Sequence, residues 1–275
     1  YYGTGFIGGR ASIYGPTEQL VISVVGETKR GTVFKIPLSD AVSFGDNTYI
    51  HFVTKEEKEA RKKGEEVEFN EIKGLELTFD VDVTEDAEVE LIIDKETGHA
   101  LKGRGIGGLL VEINTNDKFN MWGDFAVFEG VYNFAFGGLV QKEFIVQPGG
   151  TIAWEGEPSK PKIDMLATYK TQTNPSPLLD NPINRSIPVE LNISLNGDLE
   201  QLDPNFSFEF PNVNSTIKSE LNYRLESQDE RDTQALFLVS TGSFSSGFND
   251  LNASGTIAER LNGIINSIFT SDDSK

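Results

Sequence analysis

Cysteine is absent from this 275-residue chain, which removes disulfides, thiolate chemistry and cysteine-ligated zinc. Histidine is nearly absent: His51 and His99 are the only two. A buried transition-metal site therefore lacks its usual ligands, and neither histidine sits in a recognisable Ser-His-Asp context, since no G-x-S-x-G elbow occurs. Positive charge is scarce, with 24 Lys and Arg against 43 Asp and Glu and a formal charge of −19. Binding to phosphate backbones draws on clustered Lys and Arg, so the charge argues against nucleic acid as a partner. It also disfavours electrostatic docking on an anionic membrane surface. Long apolar runs are missing, and nothing approaches the roughly 18 residues of a membrane-spanning helix. Hydrophobic residues make up 37% and mean hydropathy is −0.30. The first residue is Tyr1 and the only methionines are Met121 and Met165, so the sequence is expected to be a piece of a longer or processed chain, with any leader or anchor outside it.

What the chain has is alternation. Leu75, Leu77, Phe79, Val81 and Val83 are separated by Glu76, Thr78, Asp80 and Asp82, a strand with one apolar and one wet face. Val89, Leu91 and Ile93 repeat the pattern, as do Leu109, Val111 and Ile113, then Val189, Leu191, Ile193 and Leu195. Phe206, Phe208 and Phe210 form an aromatic face. Turn signals fall at 15–16, 45–47, 97–98, 148–150 and 196–198. Many evenly spaced strands with polar outer faces predict an all-β architecture. About 200 residues of it without a domain break exceed the ~100 residues in which one sandwich closes, leaving two sandwiches or one elongated open sheet. Residues 55–66 are a solvated charge run, and the prolines of 171–187 mark an irregular crossing. After residue 212 the period changes. Ile217, Leu221 and Leu225 follow the capping candidates Asn214 and Ser215, residues 235–239 fit helix or strand, and Ile257, Leu261, Ile264, Ile265 and Ile268 make an amphipathic stripe. The organisation expected is a β-rich groove over 1–212, helical elements over 213–270 and a tail at 271–275.

Catalytic signals are weak. Gly103, Gly105 and Gly108 match G-x-G-x-x-G, but the residues that follow read as strand, whereas a dinucleotide site needs a helix N-terminus there. Gly103, Gly105 and Gly107 more simply strip side chains from one strand face, allowing a bend or a close backbone approach. Asp80, Asp82, Thr84 and Asp86 could hold calcium only by strand alternation, without the EF-hand glycine. No carboxylate pair is singled out for glycoside hydrolysis. Asn184, Asn192, Asn205, Asn214 and Asn252 stand in glycosylation sequons, at chance level. The expectation is no enzyme, no catalytic residue, no metal and no cofactor.

Residues 103–170 carry a combined pattern: Gly103-x-Gly105, Gly130-x-Tyr132-x-Phe134, Gly149-Gly150-Thr151-Ile152-x-Trp154-x-Gly156 and Pro161-x-Ile163-Asp164-x-x-Ala167. It resembles the C-terminal conserved domain of TamB-like proteins of bacterial envelopes, and the opening 38 residues look like the Bacteroidetes branch. The resemblance covers most of 1–245. It implies an elongated U-shaped sheet, or β-taco, with an apolar concave groove, similar to AsmA-like and bridge-like lipid transfer proteins. It further implies a periplasmic protein anchored in the inner membrane through a part outside this chain, with phospholipid as cargo. The implied partner is a TamA-type outer-membrane barrel, or its lipoprotein counterpart, and the role is outer-membrane biogenesis and barrel-protein assembly within the translocation and assembly module.

On this reading Leu75, Leu77, Phe79, Val81, Val83, Val89, Leu91, Ile93, Leu109, Val111 and Ile113 line a lipid groove. The 257–268 stripe, Ile257, Leu261, Ile264, Ile265 and Ile268, forms either a lid helix or part of an ordinary core. About 12 strands at ~4.8 Å each give a trough of ~58 Å. The alternative is a scaffold that carries no lipid and binds an outer-membrane assembly barrel by strand addition at a free edge. A third reading is a carbohydrate-active or adhesive sandwich.

Overall fold

The computed structural model describes residues 2–16, 19–38, 74–115, 119–136, 140–198 and 205–246. Thirteen strands form a single sheet. They are β1 (Tyr2–Thr4), β2 (Ile7–Tyr14), β3 (Leu20–Thr28), β4 (Val33–Pro37), β5 (Leu75–Val83), β6 (Glu88–Asp94), β7 (His99–Asn114) and β8 (Phe119–Phe136). β9 (Val140–Val146), β10 (Gly150–Gly156), β11 (Lys162–Thr173), β12 (Ile187–Asp198) and β13 (Asn205–Glu209) complete it. Two helices follow, α1 (Ser215–Arg224) and α2 (Gln228–Thr241).

The strand pairings follow a simple plan. β5 and β6 both pair with β7, one with each half of it: Val83 lies opposite Gly107 and Glu88 opposite Arg104. β9 and β10 divide β8 in the same way. β3 and β4 run parallel to β5 and β6, and β2 and β1 pair with β3 and β4. Four pairs of strands are thus collinear, and the thirteen strands stack as nine rungs. The sequence expectation of about twelve stacked strands counted both halves of bent rungs. Nine rungs at ~4.8 Å each give roughly 43 Å, not ~58 Å.

The breaks within rungs line up as a crease across the sheet. On the early rungs threonines hold it. Thr32 Oγ1 accepts from Phe6 N–H and donates to Phe6 C=O, both at 3.0 Å. Thr84 N–H donates to Thr28 Oγ1 at 2.8 Å, and Thr84 Oγ1 donates to Thr28 C=O at 3.1 Å. Both Thr28 and Thr32 are buried. On β7 the crease is a register shift between Arg104 and Gly105, where Phe128 of β8 is bulged out. On the next rung it is the 147–149 kink, where Gly149 N–H donates to Val127 C=O at 3.0 Å. The Pro-Gly-Gly signal at 148–150 therefore marks a kink within one rung. Asn196–Asp198, read as a turn, lies inside β12.

The glycines of β7 make the crease possible. A Cβ on Gly105 would stand 1.9 Å from the Ala126 carbonyl oxygen, and one on Gly107 1.9 Å from that of Asp124. Only bare backbone allows such an approach, and the Phe125 ring, fully buried, takes up the vacated space. Gly103–Gly108 is strand throughout, so the dinucleotide fingerprint has no helix to open.

α1 and α2 close one end. Asn214 caps α1 by accepting from Thr216 N–H at 2.8 Å, and Ser227 caps α2 by accepting from Glu230 N–H at 3.2 Å. Gly242, at φ 77°, ends α2 in a left-handed cap. The expected α1 stripe holds: Leu221 and Leu225 are buried and Ile217 packs on the core. The ambiguous 235–239 run is helix. Seven consecutive residues of α2, Thr233–Val239, are buried, the mark of a helix enclosed on all sides. It packs against β13 and β9. The 257–268 stripe and the 55–66 charge run lie outside the described residues.

Candidate functional site: the inner face of the folded sheet

Because side chains alternate across a strand, the pairing register sorts residues onto an inner and an outer face. Ile13, Ile22, Leu77, Ile113 and Phe119 form one inner row across five rungs. Ala11, Val24, Phe79, Val111 and Met121 form the next. The outer face between them carries Ser12, Ser23, Thr78, Glu112 and Asn120. Outer charges are paired along the sheet: Lys35 with Glu90 at 2.6 Å, Lys102 with Glu88 at 3.0 Å, Lys170 with Glu190 at 2.8 Å. Such exposed pairs contribute about 0–1 kcal/mol each and serve mainly to keep that face wet. Asp80 and Asp82 belong to it as exposed residues.

The inner face is filled at one end and empty at the other. Toward β13 it is packed solid: Val189, Leu191, Ile193 and Leu195 are at most 1% exposed, and the Phe134 and Phe206 rings meet edge-on at 5.9 Å. Toward β1 and β2 the two halves of the folded rungs face each other across a cavity of ≈ 360 Å³. Phe34 and Ile36 line one side, and Phe79, Val111 and Phe119 the other. Ile13, at the outermost rung, is 66% exposed although its row faces inward.

Seven of the eleven groove residues read from sequence line this cavity: Phe79, Val81, Val83, Val89, Leu109, Val111 and Ile113. The other four lie off it. Leu91 is fully buried within the wall, and Ile93 packs on the core at the tip of β6. Leu75 and Leu77 are half-buried at the start of β5, in register with Leu20 and Ile22. Sequence reasoning missed Phe34, Ile36, Phe119, Met121 and Trp154, which also line the cavity. Phe34 and Ile36 alternate within Val33–Pro37 and were findable. Ile22 and Val24 were not, because in the run Leu20–Val25 both faces are apolar and the period vanishes.

One polar pair interrupts the inner face. His99 Nε2 and Tyr132 Oη are 2.6 Å apart. Burial pushes the Tyr132 phenol well above its ordinary range, so it stays protonated, and burial lowers the His99 pKa from 6.5 despite the opposing pull of Asp94. The bond partners the two buried groups with each other, the imidazole tautomer deciding which of them donates.

Together these features define, over the described residues, a β-protein whose sheet is folded along a crease, with an inner face that is mostly apolar, a cavity at one end and helices at the other. The family model of the TamB C-terminal domain matches residues 1–273, and the chain belongs to that family. No curated protein sequence matches it. The TamB family belongs to the translocation and assembly module, so the chain is involved in outer-membrane biogenesis. The family is envelope-associated, is partnered with an outer-membrane assembly protein of the TamA type, and is a transport and assembly family rather than a known enzyme family. No helix among the described residues is long and apolar enough to cross a membrane.

Proposed function

We propose that the inner face conducts phospholipid across the periplasm between the inner and outer membranes, as a segment of a bridge anchored in the inner membrane through a part outside this chain. On this reading residues 1–212 form the groove and 213–270 its helical end. The observation that supports it most is the pair of unbroken inner rows at the open end, Ile13 to Phe119 and Ala11 to Met121, beside the apolar cavity. Two acyl chains expose about 30 methylenes, each costing ~0.8 kcal/mol in water, or about 24 kcal/mol in all. A continuous apolar trough offsets most of that, while its open side keeps the head group wet. At roughly 43 Å the trough is longer than one leaflet's hydrocarbon of ~15 Å, so lipids pass along it in file. No nucleotide site or nucleophile is required in the chain for this role.

Among the described residues β2 pairs only with β3 and is exposed over most of its length, which favours a second reading, strand addition by a partner. One experiment separates the two. Phe79 lines the cavity and Asp80 points away from it. In a closed core Phe79→Asp would bury an unpaired charge and unfold the protein. In an open trough the carboxylate reaches water, and the chain folds but acyl chains meet a polar break. Mass spectrometry of lipid co-purified with the folded chain should show lipid with the native protein and with Asp80→Phe, and none with Phe79→Asp. Lipid retained by folded Phe79→Asp, or lost from Asp80→Phe, contradicts the reading. Barrel capture without any lipid favours the strand-addition scaffold.

A further inference from the structure

The outer face departs from its wet chemistry in one place. Among the described residues, exposed large apolar side chains gather at the open end, at Tyr2, Phe6, Ile13, Tyr14 and Val25. Tyr223 stands alone on α1. The remaining four, Ile106, Phe128, Ile145 and Leu166, lie along the outside of the crease, each at least 42% exposed. Register brings them together. Ile106 lies opposite Ala126, two residues before Phe128, and Ile145 lies opposite Thr168, two residues after Leu166. Residues offset by two across neighbouring strands stand about 7–8 Å apart. Between the two pairs runs the 147–149 kink with Pro148 exposed on it, tied to one side by Gly149 N–H to Val127 C=O and to the other by Gln147 N–H to Leu166 C=O at 2.7 Å. Phe128 owes its place to the bulge. Arg104 faces Glu129 and Gly105 faces Val127, so Phe128 is the extra residue, and with Val127 buried inside it is turned out to water.

Carboxylates without a cation surround this patch. Asp124, Glu129 and Glu143 are exposed on the outer face and make no ion pair among the described residues. The outer-face cations nearby are already taken, Lys102 and Arg104 by Glu88, Lys162 by Glu155 and Lys170 by Glu190. Single exposed apolar side chains are ordinary, but a contiguous group with a polar rim marks a surface that meets another molecule. Its charge selects the partner. A second copy of this chain, at −19, would bring like carboxylates together, and an anionic membrane is repelled in the same way. The patch lies mid-sheet, where the backbone is paired with neighbouring rungs, so its occupant meets side chains and cannot add as a strand. From Ile106 on β7 to Leu166 on β11 it crosses three rung spacings, about 14 Å. A helix covers that length with nine or ten residues at ~1.5 Å each, enough for a two-turn apolar stripe.

We propose that the outside of the crease docks a cationic amphipathic helix of a protein partner. The apolar stripe of that helix lies on Phe128, Ile145 and Leu166, and its Lys and Arg residues face Asp124, Glu129 and Glu143. This surface is on the side of the sheet opposite the lipid path and does not rest on the lipid reading.

The test uses the whole 275-residue chain and three defined probes. One is a helical peptide of about 18 leucines and lysines, with the leucines on one stripe. The second carries glutamate in place of lysine, and the third is phosphatidylglycerol vesicles. Fluorescence anisotropy and vesicle co-sedimentation measure binding. The native chain should bind the lysine peptide at least tenfold more tightly than the glutamate peptide, with affinity falling as salt is raised. Phe128→Ser and Leu166→Ser should each weaken lysine-peptide binding about tenfold, whereas Val25→Ser, at an exposed outer-face position away from the crease, should leave it unchanged. Glu129→Lys combined with Glu143→Lys should bring the ratio between the two peptides to about one. Leu166 sits in a regular strand, so Leu166→Ser, with an unchanged thermal transition, keeps the test decisive if Phe128→Ser disturbs the bulge. Equal binding of both peptides by the native chain overturns the proposal, as does binding of neither. An equal loss in Val25→Ser overturns it in favour of non-specific attraction. Vesicle binding abolished by Leu166→Ser overturns it in favour of a membrane surface, and a native dimer dissociated by Leu166→Ser overturns it in favour of a second copy.

Discussion

Single residues decide where this sheet bends. The inward glycines of β7 let the β8 backbone approach until a Cβ on Gly105 would overlap the Ala126 carbonyl, whereas a Cβ on Gly108, facing outward, would meet nothing within 4 Å. Gly105→Val must therefore displace backbone and should cost on the order of 3 kcal/mol or more, while Gly108→Val should stay within about 0.5 kcal/mol or stabilise the strand. Chemical denaturation of the two variants checks this, and equal costs would show that the crease does not depend on the glycine track. That track was legible in the sequence, because a strand face stripped of side chains at every second position leaves room for a backbone to come close. The rest of the crease was not legible. Thr28, Thr32 and Thr84 look like ordinary polar residues until their partners across the rungs are known, and nothing around Phe128 announces a bulge. Bulges depend on the register of two strands, which one strand's pattern does not contain.

At the scale of elements, strand faces were legible wherever one face is wet. The alternation of β5 and of Val189–Leu195 in β12 was read as strand, as the structure has it, because a polar outer face forces alternation. Reading failed where that contrast is lost. The 235–239 run of α2 is buried on all sides, so it shows no period, and strand and helix remained equal until packing resolved them. Its boundaries were marked all the same, by the Ser227–Glu230 capping box and Gly242. The enclosed helix also depends on one side chain. Gln234, 1% exposed, donates from Nε2 to Ser245 C=O at 2.9 Å and accepts from Ser245 N–H at 3.0 Å, fastening the following strap across the helix. Gln234→Ala removes both bonds in a buried setting and should destabilise the chain by about 2–4 kcal/mol. Thermal unfolding gives the value. Loss of less than about 0.5 kcal/mol would mean that α2 and the strap hold the closed end without this clamp.

The molecule as a whole separates its two chemistries. A chain with a formal charge of −19 keeps apolar side chains together by folding one sheet on itself, so that the two halves of the early rungs face each other across the cavity. The helices fill the trough at the β13 end and the cavity stays open at the β1–β2 end, which gives the structure a direction. The central claim is that lipid travels on the inner face, and alternation makes it directly measurable. A photoreactive residue placed singly along β5 and β7 in cells growing on labelled phosphate should capture phospholipid at Leu77, Phe79, Val81, Val111 and Ile113. It should capture none at Glu76, Thr78, Asp80, Asp82 and Glu112. A strict every-second-residue pattern of lipid adducts is the predicted result. Adducts without that period, adducts confined to the outer positions, or none at any position would contradict it.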